Sequence, residues 1–193
     1  MDVMLELSRL GYSFVEGSCN LLFDLRKFEQ IPLSSVQRRL VDSAGYSEMD
    51  DKDKERLFGE IRAGLFNTDR IFLDPHFTNG IAATRYVNWL NDAVVQGAML
   101  YKIVYKGDSI GFFIIKSIGG GIYYPFLAGM YGGHQKSGLG LNAIYQPLSC
   151  VKSIGGKKVD TYVSTNNMSV LRMHTRLGFE IGHINNVFIK HNA

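Results

Sequence analysis

The spacing of apolar positions changes several times along this chain, and each change marks an element. Gly11–Arg26 alternates apolar and polar residues and predicts a strand or a hairpin. Ser34–Leu40 and Asp51–Leu65 switch to helical spacing. In the second, Leu57, Ile61, Gly64 and Leu65 share a face opposite Lys54, Glu55 and Arg62. Phe66–Gly80 contains a proline and an Asn-Gly and predicts a loop. Ile81–Gln96 returns to helical spacing, with Ala82, Tyr86, Trp89, Leu90 and Ala93 inward. Ala98–Tyr105 and Ser109–Ser117 are apolar and rich in β-branched and aromatic residues. Lys106-Gly107-Asp108 joins them as a hairpin turn. A second turn at Gly119-Gly120-Gly121 leads into the strand Ile122–Met130. A helix over Leu139–Gly155, a strand over Lys158–Ser164, a helix over Asn167–Leu177 and one or two strands in Phe179–Lys190 complete the order.

This order predicts one α/β (α+β) domain over residues 1–193, with a mixed, mostly antiparallel central sheet and helices on both faces. At its centre lies a β-α-β unit: Ile122–Met130, Leu139–Gly155 and Lys158–Ser164. It should form a right-handed parallel crossover. Ligands of open sheets bind beyond the carboxyl ends of such strands.

Composition narrows the function classes. No apolar run approaches the ~20 residues needed to span a bilayer. The first residues carry an acid and no basic segment, so no signal peptide is expected and the expected location is cytoplasmic. Cys19 and Cys150 are then free thiols. No Cys/His spacing suggests a metal site, so no metal is expected. Residues 1–97 hold 15 acidic and 11 basic side chains, whereas residues 98–193 hold 3 and 10. A basic second half suits a polyphosphate ligand. The lysines and arginines are dispersed with no aromatic interleaving, which argues against nucleic acid as a partner.

The charge asymmetry directs attention to Gln135-Lys136-Ser137-Gly138-Leu139-Gly140, between the predicted strand and helix of the crossover. Gly138 and Gly140 can adopt positive φ and admit a ligand close to the backbone. Successive N–H groups and a helix N-terminus form an anion cradle, to which Lys136 adds a charge. The loop lacks the Gly-Lys-Ser/Thr ending of a Walker A loop and the spacing of a dinucleotide fingerprint. Farther on, Asn167 can cap a helix that carries His174, followed by Gly178-Phe179.

Together, the two motifs resemble the GCN5-related N-acetyltransferase superfamily. In that superfamily Gln/Arg-x-x-Gly-x-Gly/Ala binds the pyrophosphate of acetyl-CoA, and an Asn-led helix with Tyr or His seven residues on flanks the pantetheine arm. The resemblance covers roughly residues 20–190. It implies that acetyl-CoA is co-substrate to Leu127, Ala128, Gly129, Gln135, Lys136, Ser137, Gly138, Leu139, Gly140 and Asn167. It also implies that His174 stands where the family commonly uses a Tyr as general acid. Glu16, Glu60 and Asp74 are candidate bases. Leu10–Gly17, Phe72–Phe77 and Arg85–Val94 further resemble the bacterial dTDP-4-amino-4,6-dideoxygalactose N-acetyltransferases, in which an extension precedes the segment near which this sequence starts. The acceptor so implied is a small-molecule amine, an amino sugar or sugar nucleotide, on which Tyr123, Tyr124, Tyr131 and Trp89 could stack. Another small amine or a peptide N-terminus, or a non-catalytic acyl-CoA-binding role, are the alternatives. A homodimer is compatible with all of them.

Overall fold

A computed structural model describes residues 3–66, 70–135 and 137–191. Its elements are α1 (Val3–Arg9), β1 (Ser13–Asp24), α2 (Ser35–Asp42), β2 (Ala44–Glu48), α3 (Asp51–Arg62), α4 (Arg70–Leu73), α5 (Asn79–Val95), β3 (Met99–Tyr105), β4 (Asp108–Gly119), β5 (Ile122–Met130), α6 (Asn142–Ser153), β6 (Lys158–Ser164), α7 (Met168–Arg176) and β7 (Glu180–Ile189). Reciprocal capping boxes at Ser34/Gln37 and Asp50/Asp53 start α2 and α3, and the Thr78 hydroxyl caps α5. Among the described residues no helix is long and apolar enough to cross a membrane.

The seven strands form one sheet in the order β2-β3-β4-β5-β6-β1-β7. β5 and β6 are parallel and every other pairing is antiparallel. The predicted mixed sheet with a central β-α-β unit is therefore present. β4 is an inner strand, between β3 and β5. Ile110 and Phe112–Ile115 are fully buried because alternate side chains enter cores on opposite faces. Phe113 and Ile115 join Leu148, Val151 and Val159 on the α6 face. Phe112 and Ile114 join Leu57, Ile61 and Leu90 on the α3/α5 face.

Several boundaries differ from expectation. Of the strand or hairpin expected over Gly11–Arg26 the strand forms, as the twelve-residue β1, with register shifts against β7 at Phe14/Glu16 and Cys19/Leu21. β7 is likewise a single strand. The predicted Phe66–Gly80 loop contains the short α4, and β2 adds an edge strand. Ala82, Tyr86, Leu90 and Ala93 of α5 are buried as expected, but Trp89 is 36% exposed. Cys19 and Cys150 are buried and unbridged.

Gly111 fixes how closely β4 and β5 approach. A Cβ at this position would lie 2.4 Å from the Gly129 carbonyl oxygen. Only glycine lets the two backbones meet as they do.

Candidate functional site

β5 and β6 begin as neighbours and then separate. Their parallel pairing covers only Ile122↔Lys158 and Tyr123↔Val159, although both strands continue beyond it. Pro125 of β5 follows at the fork. It has no N–H to give to a ladder, and its carbonyl accepts a 2.7 Å bond from the Thr161 hydroxyl. Beyond the fork, Leu127, Ala128 and Gly129 pair with β4 alone. In an antiparallel ladder every second N–H and C=O points away from the partner. Here those groups point into the gap left by β6. The gap opens into a cleft of about 690 Å³.

The cleft brings together residues from both sequence motifs. Leu127, Ala128, Gly129, Gln135, Gly140, Asn167 and His174 line it. Ser137, Gly138 and Leu139 form the connection between Gln135 and Gly140 without lining the cleft. The Lys136 position lies outside the described residues. Gly138 takes φ +78°, the left-handed region that glycine enters freely, whereas Gly140 does not use it. The Ser137 hydroxyl braces the loop, donating to the His134 carbonyl (2.6 Å) and accepting from the Leu139 N–H (3.4 Å). The Leu139 side chain is buried in the core, so only its backbone can face a ligand.

The predicted helix start at Leu139 is corrected to Asn142. Leu139–Leu141 forms a tighter 3-10 turn that leads into α6. Asn142, wholly buried and not foreseen as a site residue, holds that junction. Its Nδ2 donates to the Leu139 carbonyl (3.2 Å), and its Oδ1 accepts from Gln146 (3.0 Å). An Asn two residues after a glycine loop resembles an ordinary helix-start residue, so nothing in the pattern singles it out. Pro147 lies inside α6 on the cleft side and has no N–H to offer the Ala143 carbonyl four residues back.

Asn167 caps α7, accepting from the Val170 N–H (3.4 Å) and from the Ser169 hydroxyl (3.1 Å). His174, one turn beyond Val170, is 8% exposed and meets the Phe179 ring edge-to-face at 4.7 Å. Its Nδ1 lies 2.9 Å from the Val170 carbonyl oxygen. A carbonyl only accepts, so Nδ1 carries the proton and Nε2 of the neutral ring is an acceptor. Burial pushes the His174 pKa down to about 4.

The three candidate carboxylates lie in different places. Glu16, on β1, is 5% exposed and lines the cleft. It accepts from the Ser164 hydroxyl at Oε2 (2.5 Å) and from Arg70 Nη1 at Oε1 (3.0 Å). Glu60 accepts from the Gly132 N–H (3.3 Å), and Asp74 faces His76 and His191. Neither lines the cleft. The aromatic candidates divide in the same way. Trp89 and Tyr124 line it, joined by Tyr162, which was not among the candidates; Trp89 lies against Phe126 (5.0 Å) and Tyr124 edge-on to Tyr162 (6.1 Å). Tyr131 instead is 1% exposed in the α3/α5 core, beside Phe112 and beneath the Arg56 guanidinium (4.4 Å). Tyr123 packs against the opposite core.

No protein-family model matches this chain, and no curated protein matches it. Solved structures do. A functionally unknown conserved protein from Staphylococcus epidermidis superposes with a TM-score of 0.65 at 11% identity, covering 100% of this chain and 68% of that one. A GCN5-related N-acetyltransferase from Kribbella flavida gives 0.60 at 13% identity, covering 99% and 64%. A GCN5-related glucosamine N-acetyltransferase region of a fungal multi-domain β-N-acetylglucosaminidase gives 0.66 at 13% identity, covering 96% of this chain and 22% of that one. The chain thus shares its fold with GCN5-related N-acetyltransferases.

Proposed function

We propose that this chain is an acyl-CoA-dependent N-acetyltransferase, with acetyl-CoA as donor and no resident metal in the chemistry. The observation that carries the proposal is the fork between β5 and β6, which opens onto the glycine loop, Asn167 and His174 in one cleft. The pantetheine arm would lie beside Leu127–Gly129 as a short extra strand. The pyrophosphate would rest on the backbone between Gln135 and Gly140, at the approach to α6.

Transfer is direct. A neutral amine attacks the thioester carbonyl carbon, a C–N bond forms, the C–S bond breaks, and the coenzyme A thiolate takes up a proton. N–H groups of β5 facing the gap would hold the oxyanion. Glu16 is our candidate for receiving the acceptor's amine and its proton, being the carboxylate that lines the cleft. His174 differs from a ready-made general acid. Its Nδ1–H is committed to Val170, so it can protonate the thiolate only after Nε2 has first taken up a proton.

For the acceptor we propose an amino sugar, carried on a nucleotide. Arg70 and Arg85 line the same cleft as Trp89, Tyr124 and Tyr162 and suit a phosphate beside flat rings. The structural neighbour described as a glucosamine N-acetyltransferase region supports an amino sugar.

The test is thiol release from acetyl-CoA over a panel of amino sugars, free and nucleotide-linked, with peptides and polyamines alongside. Turnover confined to the amino sugars is expected. Turnover of peptides alone would overturn the acceptor assignment, and coenzyme binding with no turnover of any amine would overturn the enzymatic one. Gly138→Val forces a β-branched residue into a left-handed conformation. It should weaken acetyl-CoA binding about tenfold or more, whereas unchanged affinity would remove the loop from the site.

A further inference from the structure

We propose that Asp74, His76 and His191 form a binding site for a divalent transition-metal ion, with zinc the ion that suits their donors. Asp74 follows α4, His76 lies two residues on, and His191 comes just after β7. The Asp74 side chain is 5% exposed, and each of its oxygens faces a different imidazole. His76 Nδ1 lies 3.1 Å from Oδ1, and His191 Nε2 lies 2.8 Å from Oδ2. The His76 backbone N–H also donates to Oδ1 (2.9 Å) and fixes the carboxylate's orientation. One ligand atom from each residue lies within 4.8 Å of the other two.

The two rings stack face to face, with centroids 3.9 Å apart and planes 21° apart. Two imidazole nitrogens and one carboxylate oxygen make a donor set typical of zinc with an open position. His76, with 63% of its side chain exposed, gives that open position access to water. Tetrahedral zinc sets its ligand atoms roughly 3.4 Å apart, so seating the ion needs side-chain movements of about 1 Å. His191 is 117 residues from Asp74. The site is therefore invisible to any inspection of local Cys/His spacing and exists only once β7 is docked on β1.

The location gives such an ion a structural role. Arg70, at the start of α4, reaches Glu16 in the cleft, and Asp74 lies just beyond the end of that short helix. An ion bound here would tie the chain after β7 to the segment carrying one wall of the cleft.

The test is calorimetric titration of the metal-free full chain with Zn²⁺, with Co²⁺ absorption as a second readout. One equivalent per chain is expected. His76→Ala, at an exposed position, should leave the circular dichroism unchanged and weaken binding about tenfold or more, as should His191→Ala. His134→Ala should bind as the parent does. The Co²⁺ spectrum should show ligand-field bands without thiolate charge transfer, which separates this cluster from Cys19 and Cys150. Absence of saturable Zn²⁺ binding, undiminished binding in the two histidine variants, or a thiolate spectrum would each overturn the site.

Discussion

His174 is buried as a neutral ring, and the pH dependence of folding should reveal it. Its pKa falls from 6.5 to about 4 because burial penalises the cation more than the Val170 carbonyl supports it. Between those values the unfolded chain binds the extra proton and the folded chain does not. The stabilisation is therefore complete above 6.5 and is lost as pH falls toward 4. The two limits differ by about 3 kcal/mol from this one residue. Urea unfolding near pH 7 and near pH 4 should show that loss in the parent, and His174→Phe should reduce it by about that amount. The position of His174 on a helix is legible from its spacing to Asn167 and Gly178. Its tautomer is not, because the carbonyl that sets it becomes a partner only when α7 forms and packs on Phe179. Glu16 is similar. Three carboxylates are equal candidates in the sequence, and only the Ser18↔Ser164 register of β1 on β6 brings Glu16 to the Ser164 hydroxyl inside the cleft.

The strands and helices with strong periodicity are those that the chain announces. β3, β4, β5 and β6 lie close to where their apolar runs place them. The elements that escape notice are short or weakly patterned. β2 reads Ala-Gly-Tyr-Ser-Glu and earns its place by edge pairing with β3, and the four residues of α4 are too few for a helical period to show. The fork between β5 and β6 is also silent in the sequence, since both segments read as ordinary strands to their ends. Its geometry depends on how β5 is held from the other side. Gly111→Ala would press a methyl group onto the Gly129 carbonyl and push β5 away from β4. Expected results are a loss of about 1–3 kcal/mol in urea unfolding and a raised KM for acetyl-CoA. A variant with parental stability and KM would show that Gly129 can move without affecting the cleft.

Across the whole molecule, the two halves of the chain carry opposite net charge, and the basic half supplies β5, the glycine loop and α7. That asymmetry and the pair of motifs point to the wall of the cleft that we assign to the donor. The wall proposed for the acceptor draws on β1, α4 and α5, which meet only in the folded molecule, and there the aromatic expectations divided between lining and core.

The fork leaves part of β5 as an edge within a seven-stranded sheet. Edges of this kind exchange their amide hydrogens readily and invite further pairing. A coenzyme that completes the ladder would act as a missing piece of the fold. At a hundredfold excess over its dissociation constant it would add about 2.7 kcal/mol, raising the melting temperature by roughly 5–10 °C. Amide exchange should slow most at Leu127–Gly129. Protection spread evenly over the sheet, or confined to the glycine loop, would show that the gap is not where the ligand lies. The unliganded protein, on this view, is a sheet waiting for its last rung.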